Sequence, residues 1–457
     1  MSTSLYTGKG ILTTLKDYFS AYFAHCTKPT IDKLFLFVLA LLAVDTAPSI
    51  RFLFRHFLLW AAGGALSSWY YLFGKKARID DAAFLEVTVR KALDIVPSEL
   101  RGFPILLCLD DTMVSKAGRC IEGVSKLFDH AAHNGKNWLI GHCFVSLTIC
   151  VPVWKYRLGK PPEATYLAIP LGYRMWQDSR DTKFTIAGKM IRQAMKVCQR
   201  EHVVLLCDAW YACKPIFDVT REFRNLDVVC NAKKNTVMYA MGKPWEKIAR
   251  GRYAGQPRKH GERIRPEDFA LDRTVGKYAV GWRMVKTNIG GDDTLYAYVS
   301  RMGNGELRLF LSTLKPESLH MCCNWMENAE LRAVDSKTFA LVPLLLYRFR
   351  WNIEIGYYEH KTFWSLCDYM IRHKCGIERL LNLITIAYAS VKILPYAYSQ
   401  FSSLKECSPQ DARFSIGKQI LLEIHWTKFV QKAEFELKSE SALERLRDLA
   451  DAFLNAA

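Results

Sequence analysis

The sequence predicts an α/β fold: a mixed-sheet core with a mainly β insertion, set between helical N-terminal and C-terminal regions. Two apolar runs end abruptly in acids, FPILLCLDDT (103–112) and VVLLCDAWY (203–211), and read as buried strands that deliver carboxylates to a sheet edge. Alternating segments with glycine-bearing turns fill 235–335, and helical apolar periodicity dominates both ends of the chain. The resulting division is 1–98 (helical, helix-turn-helix-like), 99–234 (first part of the core), 235–335 (β-rich insertion), 336–395 (second part of the core) and 396–457 (helical C-terminal region).

In chain order, apolar positions at helical spacing run through about 31–44, 48–59 and 65–74, broken by Thr46-Ala47-Pro48 and Gly63-Gly64. Three short helices with tight turns suit a DNA-reading module whose third helix, rich in aromatics and followed by Lys75, Lys76 and Arg78, is the candidate recognition helix. A packing or dimerisation role fits the same pattern. IGHCFVSLTICVPVW (140–154) and LDVVCNA (226–232) read as further strands, and 181–201 as a cation-rich helix. KYAVGWRMVKT, TLYAYVSR and ELRLFLST supply the insertion's alternation. Its loop RGRYAGQPRKHGERIR spaces Arg250, Arg252, Arg258 and Lys259 among glycines, which favours phosphate contact over a merely solvated loop. Helix returns from about 336, and the tail 414–457 suits a dimerisation element or a packed cap equally.

The bulk properties narrow the classes. Half of the 457 residues are hydrophobic, so the chain is not a disordered one. Lys and Arg outnumber Asp and Glu by 63 to 45, a formal charge of +18, and point to a polyanionic partner, nucleic acid before an anionic membrane. The 14 cysteines form no CxxC pair, and several sit in apolar strand-like runs, as expected of small packed hydrophobes in a reducing cytoplasm. The run LFLFVLALLAV (34–44) is too short for a bilayer span and is flanked by Lys33 and Asp45, so no membrane association is expected.

The most informative stretch is YRFRWNIEIGYYEHK (347–361). On a helix turning about 100° per residue, Tyr347, Arg350, Glu354 and Lys361 fall within roughly 60° of arc. A tyrosine, two cations and a carboxylate on one face suit phosphate holding beside a metal-binding acid better than a core. Asp110 or Asp111, Asp208 and Glu354 are the carboxylates that a fold could converge; oxygen-only ligation of that kind suits Mg²⁺, with Mn²⁺ as substitute. His130, His133, His142 and Cys143 fit no strong zinc pattern.

The pattern Y-x2-R-x3-E-x6-K, following strand-end acids in LLCLDDT and VLLCDAWY and an insertion-sized gap, resembles the YREK-signature branch of bacterial insertion-sequence transposases in the DDE superfamily. The resemblance covers roughly 100–375, and the helix is its most specific part. It implies an RNase H-like core, with the acids Asp110, Asp208 and Glu354 holding two Mg²⁺ ions per site. The D-x-T form common in the family selects Asp110 with Thr112, and Asp111 is the alternative first acid. It further implies Tyr347, Arg350 and Lys361 on the phosphates of a cleaved DNA end, and a tryptophan of the insertion, Trp245 or Trp282, under a flipped base; core packing is the ordinary role for either. Lys233 and Lys234 are candidates for DNA contact near the metals. The implied activity is cut-and-paste transposition: binding of inverted terminal repeats, cleavage at the element ends, and joining of 3′-hydroxyls to target DNA. The implied partners are element-end and target DNA and a second copy in a synaptic dimer, in a cytoplasmic, nucleoid-associated setting. The rival reading is a catalytically inactive DNA-binding derivative.

Overall fold

A computed structural model of the chain describes residues 10–118, 120–129, 137–156, 159, 161–177, 181–242, 247–252, 254–256, 260–314, 341–436 and 442–456. It opens with helices α1 (Ile11–Phe23), α2 (Lys28–Ala43), α3 (Ile50–Leu53), α4 (Leu59–Ala62), α5 (Leu66–Tyr70) and α6 (Ala83–Asp94). Strands β1 (Ile105–Ser115), β2 (Ser125–Phe128), β3 (Trp138–Lys155) and β4 (Glu163–Trp176) follow, then α7 (Lys183–Val197), β5 (Val203–Cys207), α8 (Lys214–Arg221) and β6 (Leu226–Ala232). The insertion adds β7 (Met238–Tyr239), β8 (Arg263–Ile264), β9 (Arg273–Val275), β10 (Tyr278–Thr287), β11 (Leu295–Arg301) and β12 (Leu307–Ser312). Helices α9 (Val342–Tyr347), α10 (Trp351–Phe363), α11 (Lys374–Ala397), α12 (Pro409–Glu436) and α13 (Ala442–Ala456) complete the described chain. Contacts divide it into two units: Met1–Val87 with Gly118–Glu122 and Glu359–Ala457, and Thr88–Ala117 with Gly123–Tyr358.

The second unit is built on one mixed sheet. Its core strands stand in the order β4-β3-β1-β5-β6, with β3 antiparallel to both β4 and β1, and with β1, β5 and β6 parallel. That is the arrangement expected of an RNase H-like core. β5 is buried along its whole length, Val-Val-Leu-Leu-Cys, as a central parallel strand covered on both faces must be. α7 begins where Thr182 Oγ1 accepts from Thr185 N at 3.1 Å and buries Ile186, Ala187, Met190, Ile191 and Ala194 on one stripe.

β4 was not apparent from sequence, because Pro170 and Gly172 interrupt it. The structure accommodates them at a bulge: the pairing with β3 steps from Leu147↔Gly172 to Thr148↔Pro170, on a strand paired only on its β3 side. A proline without an N–H is tolerated there.

The insertion extends the core sheet rather than standing apart from it. β12 pairs antiparallel with β6 through Leu309↔Ala232 to Ser312↔Val229, and β11 and β10 continue outward.

The helical unit draws its members from both ends of the chain, where the sequence suggested separate regions. α2 starts three residues earlier than its apolar run, because Pro29 fits the first helical turn. The next helix starts at Ile50, capped by Ser49 Oγ, which accepts from Phe52 N at 3.1 Å, and passes through a π turn at Phe54–Leu58 into α4. The candidate recognition helix is short: α5 spans five residues, with a 3-10 turn at Tyr71–Phe73. Trp69 is buried, and the end of the turn is held by Arg379 of α11, whose Nη1 donates to Leu72 O at 2.6 Å. Tyr18, Phe19, Tyr22, Phe23 and Phe84 form an aromatic cluster. Among the described residues, only α11 is long and apolar enough to cross a membrane, with mean hydropathy 1.4, and 83% of that window is buried within the protein.

Gly141 of β3 lies against β1 so closely that a Cβ there would stand 2.1 Å from Val114 O. Gly141→Ala is therefore expected to lower unfolding free energy by roughly 1–3 kcal/mol, the range for overpacking. Gly303→Ala, which meets open space, serves as the control in the same thermal melts. Equal melting of the two variants would refute the close-approach argument.

Candidate active site

Parallel pairing brings the two aspartates together. Leu109 of β1 is in register with Cys207 of β5, strands about 4.8 Å apart, so Asp110 on β1 and Asp208 just past the end of β5 emerge side by side. Asp208 ends its strand in a turn, its Oδ1 accepting from Trp210 N at 3.1 Å and Tyr211 N at 3.3 Å.

Strand alternation separates Asp110 from Asp111. Cys108 and Asp110 face the α9–α10 segment: Cys108 Sγ reaches Phe349 O at 3.4 Å, and Asp110 Oδ2 accepts from Arg350 Nη1 at 2.8 Å. Arg350 also donates through Nη2 to Glu354 Oε1 at 3.0 Å, one helical turn on. Its guanidinium thus stands between the first acid and the helical glutamate. Asp111 turns the other way. It accepts from Lys183 Nζ at 2.7 Å, Tyr211 Oη at 3.1 Å and Cys143 Sγ at 3.1 Å, a set that engages both of its oxygens.

The ideal helical arc of the four signature residues is altered, because Arg348–Arg350 form a 3-10 turn between α9 and α10. Tyr347 consequently packs its ring on Phe310 (centroids 5.0 Å) with the Arg350 guanidinium 6.0 Å above it. Lys361 lies on the last turn of α10, in the helical unit, while Glu354 lies on the first turn, in the sheet unit.

Burial first, and then the nearby Asp208, push the Asp110 carboxyl up from 3.8 to about 7, against the pull of Arg350. Burial also raises Asp208. For Arg350, burial works against the charge, but Tyr347, Asp110 and Glu354 outweigh it, and the guanidinium is held more firmly protonated than usual. For Lys183, too, Cys143 and Asp111 outweigh burial and raise its pKa.

All four acids border one cleft of about 890 Å³, together with Lys126, Asp129, Trp176, Asp181, Lys183, Phe184, Trp210, Lys233 and Arg350. Lys233 borders the cleft beside the acids. Lys234 pairs instead with Glu306 at 3.1 Å. Arg250 and Arg252 are exposed on the insertion. Trp282 packs against a cluster that joins the insertion strands to the α9 segment, stacked on Tyr298 with centroids 6.4 Å apart. His142 is buried in β3 against Phe144. Trp245, Arg258, Lys259, His130 and His133 lie outside the described residues.

Sequence reasoning missed Lys126, Trp176, Lys183 and Trp210. Trp210 could have been found, since it follows Asp208 by two positions. The other three reach the cleft from distant elements.

The donor set fits a hard divalent cation: the ligand atoms are carboxylate oxygens, and six carboxylates against four basic side chains leave the cleft acidic despite the chain's positive charge. Among the described residues no three of His, Cys, Asp and Glu are placed to hold one ion together. The Arg350 guanidinium takes an oxygen of both Asp110 and Glu354.

A sequence profile of the family described as DDE superfamily endonuclease matches residues 54–288, just over half of the chain. The match includes Asp110, Asp111 and Asp208 and ends before the Tyr347–Lys361 segment. No curated protein matches the chain.

A carboxyl raised in the folded state binds its proton more tightly there than in the unfolded chain, so Asp110 destabilises the metal-free fold as pH rises. The effect is absent below pH about 4, grows up to about 7 and is constant above, with an upper limit of about 4 kcal/mol. Asp110→Asn is therefore expected to stabilise the metal-free protein at pH 8 and to leave it unchanged near pH 4. Denaturation curves at the two pH values check the sign, and a loss of stability at pH 8 would contradict the burial argument.

Proposed function

We propose that this chain, which belongs to the DDE superfamily endonucleases, is a transposase that cuts DNA at the ends of a mobile element and joins the freed 3′-hydroxyls to target DNA. The observation that carries this reading is the convergence on one cleft of Asp110, Asp208 and Glu354, from two adjacent strand ends and one helix. Asp110 and Asp208 would hold Mg²⁺, with Glu354 completing the set. Asp111 is the weaker candidate, since Lys183, Tyr211 and Cys143 already engage it.

Held by Asp110, Asp208 and Glu354, Mg²⁺ would supply activation of the attacking water or 3′-hydroxyl and charge stabilisation of the leaving oxygen. The protein's own groups supply positioning and charge. Arg350 presents a rigid fork that suits phosphate as well as it suits the two carboxylates it now bridges. A DNA phosphate entering the cleft would compete for those donors, and Glu354 and Asp110 would then be available to hold the cation. Lys233 and Lys126 border the same cleft and offset backbone charge. Cutting by one chain at each of two element ends calls for two copies in the DNA-bound assembly.

Incubation with DNA carrying the element's terminal sequence and Mg²⁺ should yield strand cleavage, abolished by EDTA and reduced by a factor on the order of 10³ or more in Glu354→Gln or Asp208→Asn. Undiminished cutting by Glu354→Gln would remove the assignment. DNA binding with no metal-dependent cutting in the wild type would instead place the chain with non-catalytic DNA-binding derivatives. Arg350→Ala should weaken binding of the cleaved end and lower cleavage together; cutting by that variant at the wild-type rate would exclude its phosphate role.

A further inference from the structure

We propose that Tyr357 positions the first acid, an inference that rests on the DNA-cutting reading of this site. With DNA bound, its buried hydroxyl donates to the Asp110 carboxylate and holds it for the cation. Packing explains the ring but not the hydroxyl. Ile353 and Tyr357 stand one turn apart on the buried side of α10, and the Tyr357 and Tyr173 ring centroids are 6.3 Å apart. The hydroxyl oxygen is buried as well, and it finds no hydrogen-bond partner among the described residues. A phenylalanine would fill the same space without desolvating a polar group.

Strand register sets what lies around that hydroxyl. Asp110 of β1 opposes Ser146 of β3, and Ser146 opposes Tyr173 of β4, so the three form one row on the sheet face toward α9 and α10. Tyr357 packs against the Tyr173 end of this row, and Asp110 is its strongest electrostatic neighbour, ahead of Tyr173, Asp111 and Tyr211. Burial first, and those neighbours next, hold the phenol protonated well above its usual range, so it serves as a donor and not as a base. Without DNA, Asp110 is supplied by other donors. Its Oδ1 accepts from Asp111 N and its Oδ2 from Arg350 Nη1, each at 2.8 Å. A phosphate that draws Arg350 away removes the second donor from a buried carboxylate. Tyr357 then replaces it: a phenol–carboxylate hydrogen bond favours the ionised acid and fixes its orientation, as a partner behind a metal ligand does.

The test follows Mn²⁺ by electron paramagnetic resonance, in which the free-ion signal falls as the ion is bound. The DNA is a short duplex carrying the already cut terminal sequence. In its presence Tyr357→Phe should bind Mn²⁺ about tenfold more weakly than the wild type. Without DNA the two should bind alike, because Arg350 still holds Asp110. In an Arg350→Ala background the same Phe substitution should weaken Mn²⁺ binding with no DNA present. The metal-free Tyr357→Phe protein should melt at or above the wild-type temperature. Unchanged Mn²⁺ binding by Tyr357→Phe in the DNA complex, an equal loss with and without DNA, or a lowered melting temperature overturns the proposal. These Mn²⁺ dependences in a protein that cuts no DNA would overturn the nuclease reading and leave Tyr357 in its role.

Discussion

Parallel pairing of β1 with β5 sets the terms for the whole site. Once Leu109 and Cys207 are in register, two carboxylates must emerge side by side where the buried strands end. Burial penalises the ionised form of Asp110, the neighbouring Asp208 adds to that penalty, and the carboxyl is accordingly raised to about 7. The surrounding structure reads as a response. Arg350 reaches from the 3-10 turn to neutralise Asp110 and ties Glu354 to the same point, while Asp111, on the opposite face, is absorbed by Lys183 and Tyr211.

The chain's net charge and the cleft's charge have opposite signs, and the contrast is informative. A protein of +18 attracts DNA over its surface, yet the cleft that would cut it carries more acids than bases. Phosphate is repelled from such a pocket unless cations enter with it. Arg350 occupies the middle ground, as the internal cation that keeps the acids satisfied and as the group whose planar fork best matches an incoming phosphate. In the proposed mechanism the two roles exclude each other, so binding of DNA would change the state of the acids.

The insertion and the core share one sheet. Because β12 hydrogen-bonds to β6, the strand beside β5, the insertion's position is fixed by main-chain pairing rather than by a flexible tether. Lys233, one residue past β6, is held beside the cleft by the same pairing, whereas Lys234 points to Glu306 in the loop before β12.

Much of this was written locally in the sequence. The continuous apolar runs ending in Asp110 and Asp208 could be little else than buried strands, and the spacing of Arg350 and Glu354 by one helical turn puts them on one face of a helix. β4 escaped notice, because its Pro170 and Gly172 are tolerated only through pairing with a partner strand far back in the chain. The choice between Asp110 and Asp111 could not be made from their identical neighbourhoods: it depends on which helix covers which face of β1. Lys183 and Trp176 likewise reach the acids only through packing, which no local pattern encodes. Local sequence determined which residues form strands and helices and which carry chemistry, because periodicity and capping are short-range. Tertiary structure decided which carboxylate meets which cation, because side-chain partners across a sheet are set by long-range strand order and by the face each helix covers.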